Sequence, residues 1–457
     1  MKTKLQLLFI ALAILAAINQ ADAQGGTTVF PIATNTSVEE LSGGIAASGS
    51  NYLVGYLSGT NECFQMVSTN GSLLGPVVTN GVSKGNPFVC ASKTNYFEAW
   101  FDDFTTNTVG QMVSFSGAKA GPAFSIGSGN AEVFGLASDG TNFLVVLNDN
   151  YSDRYFYGQL VTPAGALLGS QFLISSQVAN GKEAAVTFGK TNYLVIWPSQ
   201  NVANEGNTNL TYGAFVSQTG SAGSPFQIGQ TPAPDQNFLA VAFDGTNYLA
   251  AWMWDPYPET IQSITNWNIY GRLVSQTGAF PGNEVQLVTA PGNDVIPSLA
   301  FDGSEYLLTW GYGFQVITNT NIRFQFLDRT ASAVGPQFTL FTAQGTLAPL
   351  LAPNGLIFDG TRFAMAATLG SGPSEVYGGF IPSSTAMPQL NSTSFTNQQF
   401  SLSLTGTPGI NYAIQISTNL ALSNWTAVVT NSPTNGTFNF TDPQATNTSR
   451  FYRAMKQ

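Results

Sequence analysis

Three clusters hold the side chains that catalysis or recognition would use. Asp102 and Asp103, then Asp149 and Asp153, then Trp254, Asp255, Tyr257, Glu259 and Trp267 each fall where a run of strand-forming residues gives way to polar sequence. Carboxylates in such loops accept hydrogen bonds from sugar hydroxyls, and Trp or Tyr rings stack on the apolar faces of sugars. Two carboxyl groups held about 5 to 9 Å apart would also supply the acid and base of glycoside cleavage, which needs no histidine. Histidine is absent from all 457 residues. Ser-His-Asp and Cys-His nucleophiles, histidine bases and histidine metal ligands are therefore excluded. Asp149-Asn150-Tyr151-Ser152-Asp153 offers oxygen ligands for Ca²⁺, but lacks the glycine and terminal glutamate of an EF-hand loop. It is a weak metal candidate, and nothing else in the chain asks for a cofactor.

The elements that must position these residues are repeated. Gly49-Ser50-Asn51-Tyr52, Lys93-Thr94-Asn95-Tyr96, Gly140-Thr141-Asn142-Phe143, Lys190-Thr191-Asn192-Tyr193, Gly245-Thr246-Asn247-Tyr248, Gly303-Ser304-Glu305-Tyr306 and Gly360-Thr361-Arg362-Phe363 are one motif occurring seven times. Apolar runs flank each copy, as in Leu239–Phe243 and Tyr248–Trp252, which is the pattern of a β-hairpin. A second strand pair follows about twenty residues on, so each repeat carries four antiparallel strands, the content of a β-propeller blade. The predicted fold is all-β: a seven-bladed propeller over 27–385, followed by a small β-sandwich of immunoglobulin or fibronectin-III type over 389–457. The seventh repeat lacks the outer-strand signature seen in Phe172-Leu173-Ile174, while Phe30-Pro31-Ile32 supplies one ahead of the first blade. The N-terminal strand is thus expected to complete the last blade and remove an exposed edge.

Several conspicuous residues have architectural explanations. The Asp-Gly pairs at Asp139, Asp244, Asp302 and Asp359 suit tight hairpins. Trp100, Trp197, Trp252 and Trp310 share one column, four residues after the repeat aromatic, and are expected to pack between blades. Trp254 and Trp267 lie outside that column, in a stretch from Met253 to Asn268 that Pro256 and Pro258 interrupt, and are the better binding candidates. Cys63 and Cys90 belong to third-strand and inner-strand columns of different blades, too far apart for a disulfide.

Composition bounds the setting. Lys2 and Lys4, the apolar run Leu7–Ala17 and Ala21-Asp22-Ala23 have the form of a secretory signal over 1–23, cut after Ala23. No later run is long enough for a membrane helix. The charge of −10 carries no basic patch for nucleic acid. The tail beyond Met387 has one acid, Asp442, against Arg450, Arg453 and Lys456, so the negative charge belongs to the propeller.

The Phe-Asp-Gly-Thr-Asn-Tyr-Leu core with its following Trp, as at Phe243 to Trp252, resembles a repeat of secreted proteins from environmental bacteria such as myxobacteria and Verrucomicrobia. The tail segment Tyr412-Ala413-Ile414-Gln415-Ile416-Ser417-Thr418-Asn419-Leu420, with Trp425 and Arg450-Phe451-Tyr452-Arg453, is similar to a C-terminal domain of exported verrucomicrobial proteins. These resemblances imply a secreted or cell-surface location and bring no activity with them. The expectation is a non-catalytic binding or scaffold protein whose loops meet polysaccharide or a cell-surface protein. The alternative is a carbohydrate-active hydrolase or lyase using loop carboxylates.

Overall fold

The computed structural model describes residues 27–456 except 36, 84, 128–130, 150–154, 177–182, 201–207, 257–266, 289–292, 314–318, 345–349, 371–372, 385–387, 397–398, 407–410, 419–424, 433–436 and 444–449. The chain folds as two compact units, one spanning Val29–Gly379 and the other containing Phe380–Gln457. Among the described residues there is no α-helix.

Seven four-stranded antiparallel sheets make up a β-propeller. Their inner strands are Glu40–Ala47, Phe88–Ala91, Ala131–Ser138, Ala185–Phe188, Asp235–Phe243, Asp294–Phe301 and Leu350–Phe358, here taken as blades 1 to 7. In blades 1 to 6 the four strands are consecutive. Blade 7 contains Leu350–Phe358, Arg362–Leu369 and Glu375–Pro382, and its outer strand is the N-terminal Thr28–Ala33. The ring is therefore closed by the segment that contains Phe30-Pro31-Ile32, as its sequence implies.

The repeated tetrapeptide works as a latch between neighbouring blades. Its aromatic is fully buried in every copy, and in three of the tyrosine copies the hydroxyl bonds back to the preceding hairpin. Tyr96 donates to the Asn51 carbonyl at 2.6 Å, Tyr248 to the Asn192 carbonyl at 2.7 Å, and Tyr306 to the Asn247 carbonyl at 3.5 Å. Tyr52 of blade 1 donates to the carboxylate of Asp359 in blade 7, so the same joint also seals the ring. The Asp-Gly turns are as expected: Asp139 Oδ1 accepts from the Thr141 and Asn142 amides at 2.7 Å, and Gly140 adopts φ 88°. Trp100, Trp197, Trp252 and Trp310 are fully buried core residues.

A second joint uses the outer-strand Phe. In blade 3, a Cβ added to Gly158 would lie 2.4 Å from the Phe172 ring, and one added to Gly220, in the next blade's turn, 3.1 Å. Phe30 repeats this between Gly378 of blade 7 (2.2 Å) and Gly71 of blade 1 (2.7 Å). Glycine is required at Gly158 and Gly378 because a ring occupies the space of a side chain.

In the C-terminal unit, two three-stranded sheets form a small β-sandwich. Gln389–Thr396, Gln399–Thr405 and Thr437–Asp442 form one sheet; Thr426–Asn431, Tyr412–Ser417 and Phe451–Lys456 form the other. Leu402, Leu404, Tyr412 and Ile414 make its core. Its tail motif has a physical basis. Arg453 lies 4.4 Å over the Trp425 ring and donates to Gln415 Oε1 at 2.7 Å, while Tyr452 and Arg450 both engage the buried Asp442 carboxylate.

Candidate functional site

Strand direction decides which residues share a face. The start of each inner strand lies beside the end of the second strand, so acids at these two places collect around one mouth of the central channel. Glu40, Asp235 and Asp294 open inner strands, Glu132 is the second residue of one, and Glu183 stands two residues ahead of another. Asp102 and Asp255 close second strands. In blade 5 the two sets meet: Asp235 and Asp255 are direct cross-strand partners.

The mouth is also where inner strands bulge. Register shifts fall between Ser42 and Gly44, Val133 and Gly135, Asn237 and Leu239, Val295 and Ser298, and Leu351 and Leu356. Phe238 at φ 50° and Ile296 at φ 54° are strained as a result. Glu183 steadies the first of these, because its Oε2 accepts the Phe238 amide. Burial, reinforced by the charge of Asp235, pushes the Glu183 carboxyl up to about 7. Asp235 Oδ2 accepts from Asn237 Nδ2 at 2.6 Å.

Other mouth acids are likewise engaged by the protein's own donors. Glu40 accepts from the Asn35 amide at 3.0 Å and from Ser58 Oγ at 3.3 Å, and burial raises its pKa. Asp294, fully buried, accepts from Trp310 Nε1 at 2.8 Å, and burial pushes it up to about 7. Asp102 Oδ1 takes the amides of Phe104 and Thr105 at 2.9 and 2.8 Å, capping its own turn. Asp103 lies half-buried beside it.

Trp254 and Asp255 differ from expectation in their setting. They belong to the second strand of blade 5, Asn247–Asp255, rather than to a free loop. Extended pairing with Gln236 and Asn268 carries the strand past the bulge. Trp254 is half-buried, and its ring packs 5.4 Å from that of Tyr270. Trp267 is tied to the start of blade 6, its amide donating to Asn293 Oδ1 at 3.3 Å and its carbonyl accepting the Asp294 amide at 3.0 Å. Tyr257, Glu259 and Asp153 lie outside the described residues. Asp149 ends the second strand of blade 3, opposite Ala131. Among the described residues, no group of three or more Cys, Asp or Glu side chains is arranged to hold a metal ion.

Toward the opposite, hairpin-turn end of the channel, inner strands of all seven blades line a cavity of about 350 Å³. Its walls are mostly aliphatic, including Ala46, Ala137, Val241, Leu299 and Ile357, with Cys90 among them. Burial pushes the Cys90 thiol up to about 12. Cys63 is buried in blade 1 with its Sγ 3.6 Å from Thr79 Oγ1, and the two cysteines are not bonded.

Glu183, Asp235 and Asp294 were not singled out by type and spacing. The available signal was weak but present: an acid recurs at or just before the inner strand in five of the seven repeats.

No family model and no curated protein matches the chain. Solved structures with the same architecture do. A polysaccharide lyase of family PL25, an ulvan lyase bound to -[GlcA(1-4)Rha3S]-, superposes with a TM-score of 0.52 at 9% identity, covering 77% of this chain and 96% of the lyase. A second structure of that lyase family gives 0.51 at 8% identity, with 77% and 96% coverage. The β-propeller domain of the Trilobed protease from Pyrococcus furiosus gives 0.46 at 8% identity, with 74% and 95% coverage. At these identities the likeness is one of fold alone.

Proposed function

We propose that this is an exported, non-catalytic binding or scaffold protein whose propeller recognises polysaccharide or a cell-surface partner at the mouth, around Trp254, Asp255 and Asp235. The observation that carries this reading is how the mouth carboxylates are used. Glu40, Glu183, Asp102 and Asp294 each accept hydrogen bonds from the protein's own amides, hydroxyl or indole, so they are engaged in holding the fold rather than free to act on a substrate. Trp254 is half-buried at the end of its strand, one residue before the Asp235–Asp255 pair, so an aromatic and potential hydroxyl acceptors occur at the same mouth.

Charge narrows the ligand. The -[GlcA(1-4)Rha3S]- polymer bound by the ulvan lyase carries a carboxylate and a sulfate in each repeat. A chain with 25 Asp and Glu against 15 Lys and Arg, and acids around its mouth, would repel such a polymer. Neutral or amino sugars fit better.

The second reading, a hydrolase or lyase, draws support from Glu183, whose carboxyl burial and the charge of Asp235 push up to about 7. A glycan array followed by product analysis tests both. Binding without products supports the first reading. Turnover of any bound polysaccharide, abolished in Glu183→Gln, replaces it with the second.

A further inference from the structure

The seam between blades 1 and 2 holds two glutamates in core strand positions. Glu62, in the third strand of blade 1 (Asn61–Ser68), and Glu98, in the second strand of blade 2 (Asn95–Asp102), are both fully buried. Neither belongs to an acidic column. Two residues after the repeat aromatic, where blade 2 has Glu98, the other blades carry Val54, Val145, Val195, Ala250, Leu308 and Met365. By strand register, Glu62 corresponds to Thr108, Phe156, Thr211, Ile269 and Ile322. Two glutamates have thus entered otherwise neutral core positions, and they meet each other.

The surroundings are shaped to admit them. A Cβ on Gly55 would lie 2.9 Å from Glu98 Oε1, so bare backbone makes room for the carboxyl. The outer strand of blade 1 shifts register between the pairs Glu62–Gly81 and Cys63–Thr79, which leaves Asn80 as the extra residue. Asn80 Nδ2 donates to Glu98 Oε2 at 2.7 Å. Both oxygens of Glu62 and Oε1 of Glu98 have no donor among the described residues, and the two carboxyl groups are within hydrogen-bonding reach of each other.

Other titratable groups nearby do not neutralise the pair. Lys119 exerts a favourable field, but its exposed ammonium donates to the Thr79 carbonyl at 3.1 Å. Cys63 and Tyr56 also face the site, and burial raises the pKa of both, keeping them uncharged near neutrality. Two ionised carboxylates buried side by side would be strongly disfavoured.

We propose that Glu62 and Glu98 form a buried dicarboxylic clamp that holds a shared proton between blades 1 and 2, and that ionisation of the clamp loosens this seam. In agreement, burial pushes Glu62 up to about 7, while burial and the charge of Glu62 raise Glu98 well above the usual carboxylate range. The folded state therefore keeps protons that the unfolded chain releases near 4.5. The stabilisation is fully present below that value and is lost as pH rises through about 7 and beyond.

The test compares the pH dependence of melting in the full chain with that of Glu62→Gln/Glu98→Gln and of Glu62→Ile/Glu98→Val, the second copying residues that other blades carry. Glu183, Asp294 and Glu40 titrate in the same direction in all three proteins, so the difference between profiles isolates the pair. Between pH 5 and 8.5 the wild type should lose Tm, and each double variant should show about half that slope. Amide exchange in 61–68 and 95–102, normalised to blade 5, should rise with pH in the wild type alone. Equal slopes in all three proteins would overturn the proposal. So would a rise in wild-type Tm with Ca²⁺ or Mg²⁺ at pH 8 that EDTA reverses and the variants lack, because the pair would then be a cation site.

Discussion

Replacing Phe30 with alanine tests how the ring is held shut. Phe30 is 8% exposed, and its ring fills the space that Cβ atoms on Gly71 and Gly378 would need. Truncating a buried phenylalanine to alanine costs about 3–5 kcal/mol in transfer energy and cavity formation. In a domain of this size that corresponds to a fall in Tm of roughly 4 to 7 °C. Phe172→Ala is the internal control, because Phe172 fills the equivalent joint between Gly158 and Gly220. The two changes remove the same atoms from the same kind of site, but they differ in topology. Phe172 lies in Leu167–Ser175, which follows its partner strand through a short turn, so its loss stays local. Phe30 lies in Thr28–Ala33, whose partner strand begins at Glu375, and pairing across that separation carries a larger chain-closure cost. Weakening it should release the strand and uncover the edge of blade 7. Hydrogen exchange should accelerate through 375–379 in Phe30→Ala, with faster aggregation on warming, and neither should appear in Phe172→Ala. If both variants lose the same Tm and blade 7 stays protected in each, the N-terminal strand is not the weak point of the ring and the argument fails.

Other outcomes follow from the same geometry. Gly378→Ala should be nearly as damaging as Phe30→Ala, since its Cβ would stand 2.2 Å from the ring, and pairing it with Phe30→Ala should recover part of the loss in Tm. Asp294→Asn retains an acceptor for Trp310 but removes a carboxyl that burial raises to about 7; it should flatten the fall in stability between pH 5 and 8, measured by urea unfolding, by at most about 1.4 kcal/mol per pH unit. Trp254→Ala/Trp267→Ala should abolish retention on the polysaccharide identified by the array; because Trp254 packs on Tyr270, a Tm drop of more than a few degrees with binding intact would identify the pair as a structural cap. A thiol reagent should find no reactive cysteine in the native protein at pH 7 and two after unfolding, because Cys63 and Cys90 are unbonded and burial raises the pKa of both thiols.

The seven blades, their hairpins, the buried tryptophan column and the closing strand could be read from the chain because each is encoded by a short segment that repeats. Asp139-Gly140-Thr141-Asn142 turns the chain with its own carboxylate, and the aromatic beside each such turn has one place to go, into the core. The mouth was only partly legible. Asp102, Trp254 and Asp255 were visible as polar and aromatic residues beyond a strand pattern, but strand pairing carried them to the ends of strands and gave Asp102 and Trp254 local partners. Asp235 and Asp255 are twenty residues apart in sequence and become neighbours only through the register of blade 5. Glu183 meets Asp235 and Phe238 across a blade boundary. Glu62 and Glu98 looked like unremarkable charges in two different repeats, and what sets them apart is that both turn inward at one seam. Local turn and strand chemistry is carried by adjacent residues, so the sequence alone determined the architecture. Burial, charge pairing and proton affinity depend on what lies across a seam, and only the tertiary structure decided which acids were brought together.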